Sequence, residues 1–330
     1  MATEPSGILV PAYDRPGDLS DWDPAFAAAP YLWPRRLIVV ANDNNGPGYI
    51  FELDDATGEP VEILGHSAPL EIYVAAIDAV IRRCGMVVGY VHDCYNNDYE
   101  ADDPPSNCPR TPAPGKPLAL PGKPPIEKDI ARWFAAYPNV GGIFIDQVDS
   151  GDVTRAVKLK KMVDDAYGKQ WANFPGRRAV TVLNPGSIPS MEFMTETDPA
   201  IVVIQEQSYD HFRTNWPPPG WVRDRDGGDL SVIPARRLAI IAHTPQNAAA
   251  DVAMLVDVAR RYRIGSVYAN NAVGSNYNKL SPFLLPLGKR ICQLHSKFGL
   301  PCRILTAPLC WGSQVFERVR SGGRNAFARR

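Results

Sequence analysis

Two acids stand where two apolar runs end. Gly141-Gly142-Ile143-Phe144-Ile145 leads into Asp146, and Ala200-Ile201-Val202-Val203-Ile204-Gln205 leads into Glu206. Apolar runs of this length suit strands covered on both faces, as in parallel α/β sheets. A carboxylate directly after such a run sits at the carboxyl end of its strand, the edge on which α/β folds carry their chemistry. Two carboxylates at one rim suit glycosidic cleavage. One carboxyl protonates the leaving oxygen while the other stabilises or attacks the oxocarbenium-like centre. A carboxyl separation of roughly 5–5.5 Å gives retention, and roughly 6.5–9.5 Å gives inversion. On this reading Asp146 is the nucleophile or stabiliser and Glu206 the acid/base. The more buried of the two has its pKa raised by desolvation and by its neighbour's charge.

The elements that must hold these acids are legible as an alternation. Strands are predicted over 7–13, 37–41, 86–91, 141–146, 179–184, 200–206, 237–243 and 265–270. Amphipathic stretches at 71–83, 126–137, 153–167 and 248–262 carry apolar residues at helical spacing. Eight strands alternating with helices predict an α/β fold, a closed (β/α)8 TIM-type barrel, with an open doubly wound sheet as the alternative. No Gly-rich phosphate fingerprint follows the first strand, which weighs against a dinucleotide site. The barrel is expected over residues 1–288, with the end of the last helix and a C-terminal extension over 289–330. Long loops at 96–125 and 207–236 are expected to wall the rim.

If the barrel closes, nearly every strand delivers a polar side chain to that rim. Tyr13, Asn42, Tyr90, His92, Gln147, Asn184, Tyr209, His243 and Asn270 are the candidate binding residues. Amides, imidazoles and phenols suit a polyhydroxylated ligand, because each sugar hydroxyl both donates and accepts. Tyr95, Trp216 and Trp221 could add platforms for sugar rings. Taken singly, Asn, Asp and Gly at strand ends are ordinary turn formers; the ring as a whole points to a ligand. No His or Cys spacing suggests a metal, and no cofactor is expected.

Motifs along the chain resemble the spherulin-4-like (spherulation-specific family 4) proteins. They are Gly7-Ile8-Leu9-Val10-Pro11-Ala12-Tyr13, Val39-Val40-Ala41-Asn42 with Asn45-Gly46-Pro47-Gly48, Gly85 through Gly89-Tyr90-Val91, Gly142-Ile143-Phe144-Ile145-Asp146, Leu183-Asn184-Pro185-Gly186 and Val203-Ile204-Gln205-Glu206. Their order holds from about residue 7 to residue 285. The resemblance implies a (β/α)8-type barrel similar to glycoside hydrolase family 135, whose members cleave a galactosamine-containing exopolysaccharide. It places the family's acidic dyad on Asp146 and Gln147 and its sixth-strand glutamate on Glu206. Gln147 departs from the pattern, which has a glutamate there, and Gln cannot ionise. Three readings follow. The first is a hydrolase acting through Asp146 and Glu206. The second is a carbohydrate-binding protein impaired at Gln147. The third is a structural component of a larger particle.

Composition bounds the partners. The 330 residues carry 35 Lys and Arg against 36 Asp and Glu, a net charge of −1, so nothing electrostatic favours nucleic acid or an anionic membrane. A polysaccharide or oligosaccharide is the expected partner, and the C-terminal extension is a candidate surface for self-association. The N-terminus shows no signal-peptide pattern. That gives a cytoplasmic default, with action outside the cell after release or carriage on a particle. Cys84 is expected to be a buried thiol. Cys94 and Cys108 bracket a loop, Cys292, Cys302 and Cys310 cluster near the end, and their pairing is left open.

Overall fold

Pro, Gly and Asp punctuate the chain so often that each strand is short, and a sheet of short parallel strands that closes on itself leaves no unpaired edge. The computed structural model describes residues 7–13, 17–32, 36–42, 50–53, 60–63, 71–93, 126–172, 178–216, 233–271 and 279–296. The expected loop 96–125, the turn at 54–59, Tyr95, Trp221, Cys94, Cys108, Cys302, Cys310 and the chain beyond 296 lie outside these residues. So does the central part of the 207–236 loop.

All eight predicted barrel strands form. They are β1 (Gly7–Ala12), β2 (Leu37–Ala41), β5 (Met86–His92), β6 (Gly142–Asp146), β7 (Val180–Asn184), β8 (Ile201–Ser208), β9 (Leu238–His243) and β10 (Ser266–Ala269). They close in the order β1-β10-β9-β8-β7-β6-β5-β2, every pairing parallel. This is a (β/α)8 TIM-type barrel. A hairpin of β3 (Ile50–Leu53) and β4 (Pro60–Ile63) forms a separate two-stranded sheet that the sequence pattern did not predict.

Helices α2 (Glu71–Arg82), α3 (Ile126–Ala136), α4 (Val153–Gln170) and α7 (Ala248–Arg261) form where helical periodicity places them, and α8 (Leu284–Ser296) follows β10. Three six-residue helices, α1 (Asp23–Ala28), α5 (Met191–Glu196) and α6 (Tyr209–Thr214), escaped the prediction, being too short to show a period. No described helix is long and apolar enough to cross a membrane.

Two glycines admit close neighbours. A Cβ on Gly142 would meet the Val180 carbonyl oxygen at 1.9 Å, so only glycine lets β6 and β7 approach this closely. A Cβ on Gly89 would meet the Trp133 ring at 2.3 Å, so its absence lets the indole of α3 lie on β5. The strand ladder is thin at two places. Only Gly7–Ser266 and Ile8–Val267 pair between β1 and β10, and only Val182–Ile201 and Leu183–Val202 between β7 and β8.

Cys84 corrects its expectation. It follows α2, is only partly buried, and takes part in a disulfide rather than staying a thiol. Cys292, in α8, is disulfide-bonded as well.

Candidate active site

The chemistry gathers at the carboxyl ends of β6, β7 and β8. Asp146 ends β6 and Asn184 ends β7, paired in register across the ladder. Glu206 lies on β8 just past a bulge between Val203 and Gln205. The extra residue inverts the alternation of side chains, so Glu206 takes the face that an unbroken strand would give to Gln205. Reading a regular strand from sequence misses this turn.

The side chain of Asn184 joins the two acids. Its Nδ2 donates to Asp146 Oδ1 and to Glu206 Oε2, at 2.8 Å in each case. Its Oδ1 accepts from the Gly186 backbone N–H at 3.1 Å, which fixes the amide's orientation and turns both N–H groups to the carboxylates. Gly186 has a φ of 66°, a left-handed conformation that glycine adopts freely, and the Asn-Pro-Gly turn is the sequence signal for this arrangement. Each carboxylate oxygen lies 2.8 Å from one nitrogen, so the two oxygens lie within twice that distance of each other. The two acids are thus close enough to act on one glycosidic bond.

Asp146 is further held by the Tyr90 hydroxyl, which donates to Oδ2 at 2.9 Å, and by the Gln147 N–H, which donates to Oδ1 at 3.0 Å. Tyr90 is fixed from behind: Trp133 Nε1 donates to its carbonyl at 2.7 Å, its ring stacks on Phe144, and Tyr13 meets it edge-on at 4.8 Å. Burial, then the nearby charge of Glu206, push the Asp146 carboxyl up to about 7 despite three donors that favour its anion. Both acids remain only half-buried, so a ligand can reach them.

His243 ends β9 beside Glu206; burial lowers its pKa, and the Glu206 charge partly offsets this. Its Nδ1 lies 2.9 Å from Thr244 Oγ1. Gln147 sits at a φ of 54°, unusual for a residue with a side chain, and its Oε1 is buried with no hydrogen-bond partner among the described residues. Asn42, only 4% exposed at the end of β2, likewise has a buried Oδ1 without a partner among the described residues.

The structure does not bring every candidate to the acids. His92 is fully buried but pairs in register with Asp146 across the β5–β6 ladder, its ring centroid 6.1 Å from that of Tyr90, and Asn270 is fully buried at the end of β10. Tyr209 is the clearest departure. Ser208 caps α6 by accepting from the His211 N–H, so the chain turns helical at once and carries Tyr209 into the core beside Asp251 and Tyr268. With no exposed surface, Tyr209 cannot form the rim. A supporting pair that sequence reading passed over lies next to Asp146. The Asp93 N–H donates to the Asp146 carbonyl at 2.8 Å, and the buried Asp93 carboxylate is ion-paired with Arg155 of α4 at 2.6 Å. Among the described residues, no group of three His, Cys, Asp or Glu could hold a metal ion.

The profile of spherulation-specific family 4 matches residues 7–286. The chain belongs to spherulation-specific family 4. No curated protein matches the chain. Among solved structures, Aspergillus clavatus Sph3 in complex with GalNAc is similar over 88% of this chain and 100% of its own, at 17% identity and a TM-score of 0.55. Active domain 2 of a thermostable chitinase from Pyrococcus furiosus, solved with chito-oligosaccharides, is similar over 90% of this chain and 97% of its own, at 11% identity and a TM-score of 0.43. The likeness to Sph3 is one of fold.

Proposed function

We propose that this spherulation-specific family 4 protein hydrolyses O-glycosidic bonds in an amino-sugar-containing, galactosamine-type polysaccharide, using Asp146 and Glu206. One observation carries the proposal: a single oriented amide, Asn184, holds two half-buried carboxyls at short separation on the catalytic rim of the barrel. Ordinary turn-forming or helix-capping acids have no need of such a shared donor.

The roles differ from those expected from sequence. A nucleophile must be ionised at working pH, and a carboxyl pushed up to about 7 by burial and by Glu206 is better suited to carry the proton. In the proposed reaction Asp146 protonates the leaving oxygen as the C1–O bond breaks, and a Glu206 oxygen bonds to C1. Water then attacks C1, its proton passes to Asp146, and the ester to Glu206 breaks, giving net retention. The unpartnered Oε1 of Gln147 and Oδ1 of Asn42 supply acceptors for sugar hydroxyls or an acetamido N–H. Two disulfide-bonded cysteines support an oxidising compartment, where polysaccharides are met.

The test is reducing-sugar release from galactosamine- and glucosamine-containing polysaccharides by wild type, Asp146→Asn and Glu206→Gln. The expected result is release by wild type and a loss of at least about a thousandfold in both variants. Sugar binding without release in all three proteins, with release gained in Gln147→Glu, would instead establish the carbohydrate-binding reading.

A further inference from the structure

A cavity of about 570 Å³ opens at the end of the barrel opposite Asp146 and Glu206. Its floor comes from the amino ends of β2, β5, β7, β8 and β10, through residues such as Ile38, Met86, Val180 and Ile201. Asp146 and Glu206 end their strands at the other mouth, so a strand length, about 15 Å, separates the two places. The amino-terminal face of such barrels ordinarily serves stability, and an apolar plug with paired charges would be sufficient there.

The charges here are not paired in that way. Arg36, Arg178, Arg236, Arg237 and Lys160 line the cavity, with Asp164 as the one carboxylate among its described lining residues. Asp164 is taken by Lys160 at 2.7 Å, and Arg237 is taken by Asp198 at 2.9 Å and by the Ala200 carbonyl. Among the described residues, Arg36, Arg178 and Arg236 have no ion pair and no side-chain hydrogen bond. Arg36 is part-buried, and burial followed by the charge of Arg236 lowers its pKa, so two guanidinium groups repel each other in a concave site. This is a local concentration rather than a general excess, since the whole chain has a net charge of −1.

We infer that this cavity is a binding site for a tetrahedral oxyanion, phosphate or sulfate, free or as the monoester of a small organic molecule. Guanidinium forks match the oxygens of such a group bidentately, and a dianion between Arg36 and Arg236 offsets their mutual repulsion. The volume falls within the range of small-molecule sites, and the apolar floor suits the carbon portion of a monoester. A long polyanion would ask for an open groove, not a cavity at a barrel mouth.

Calorimetric titration of the full chain with inorganic phosphate and with a hexose 6-phosphate, at fixed ionic strength, tests the site. Saturable binding is expected, weakened at least tenfold in Arg36→Gln and in Arg236→Gln and unchanged in Asp146→Asn. Tighter binding of the monoester identifies an organic ligand, and equal binding of both identifies the free ion. Melting curves without phosphate separate ligation from a structural role. The two Gln variants are expected to melt at the wild-type temperature or above it, because a like-charge contact is removed. No saturable binding, or unchanged affinity in variants that melt lower, would overturn the proposal. Arg178→Gln, at an exposed position, gives a third reading should either of the other variants fail to fold.

Discussion

Asn184 has two amide hydrogens and gives one to each carboxylate, so truncating this one side chain disconnects both acids. Asn184→Ala is expected to lower kcat by about a hundredfold or more, as losing an oriented donor in a reacting site commonly does. The Asp146 carboxyl should then titrate higher still, since a donor favouring its anion is gone, and the pH–rate profile of the variant reads that shift. In the wild type the proton on Asp146 is required for leaving-group departure. Activity should therefore fall as pH rises through about 7. A rate that climbs through that window would return the nucleophile's role to Asp146. Stability has the same sign. The folded state holds a proton that the unfolded state releases, so stability is full below the ordinary carboxylate range and declines up to about 7. Asp146→Asn removes that titration and keeps one acceptor oxygen for the Asn184 and Gln147 donors, its NH2 facing the oxygen of the Tyr90 hydroxyl. Thermal melting should show it more stable than wild type at pH 8, by up to about 4 kcal/mol, and nearly equal at pH 4.

Gly89 shows how a helix reaches the site through a strand. The Trp133 indole of α3 occupies the space a side chain would fill at Gly89, and from there it holds the Tyr90 carbonyl. Gly89→Ala should cost about 2–4 kcal/mol in denaturant unfolding, because a buried ring must move. It should also depress activity beyond the stability loss by loosening Tyr90 from Asp146. Strands were readable because buried parallel strands are nearly uninterrupted apolar runs; β2 is read to the residue and the other barrel strands to within two. The helices α1, α5 and α6 were not, at six residues each, and the hairpin of β3 and β4 carries no long apolar run. At the rim, residue types indicated what is present but not which way it faces. Asn184 and Tyr90 do reach the acids, whereas Tyr209 turns inward with α6 and Glu206 owes its direction to a bulge.

For the molecule as a whole, the disulfides at Cys84 and Cys292 set a dependence on redox state. Reduction is expected to lower the melting temperature by several degrees, in line with about 2–5 kcal/mol for a native bridge, and melting with and without dithiothreitol measures it. The two thin ladders, β1–β10 and β7–β8, have a different consequence. They part the eight staves into an arc of five and an arc of three, with backbone stitching sparse along both lines. Asp146 rides on the larger arc and Glu206 on the smaller, and Asn184 reaches across the line as a hasp. The gap between the acids is thus a gauge of how the arcs lean together. A sugar ring wedged between them would be felt along both lines at once, from the catalytic mouth down to where the first strand meets the last.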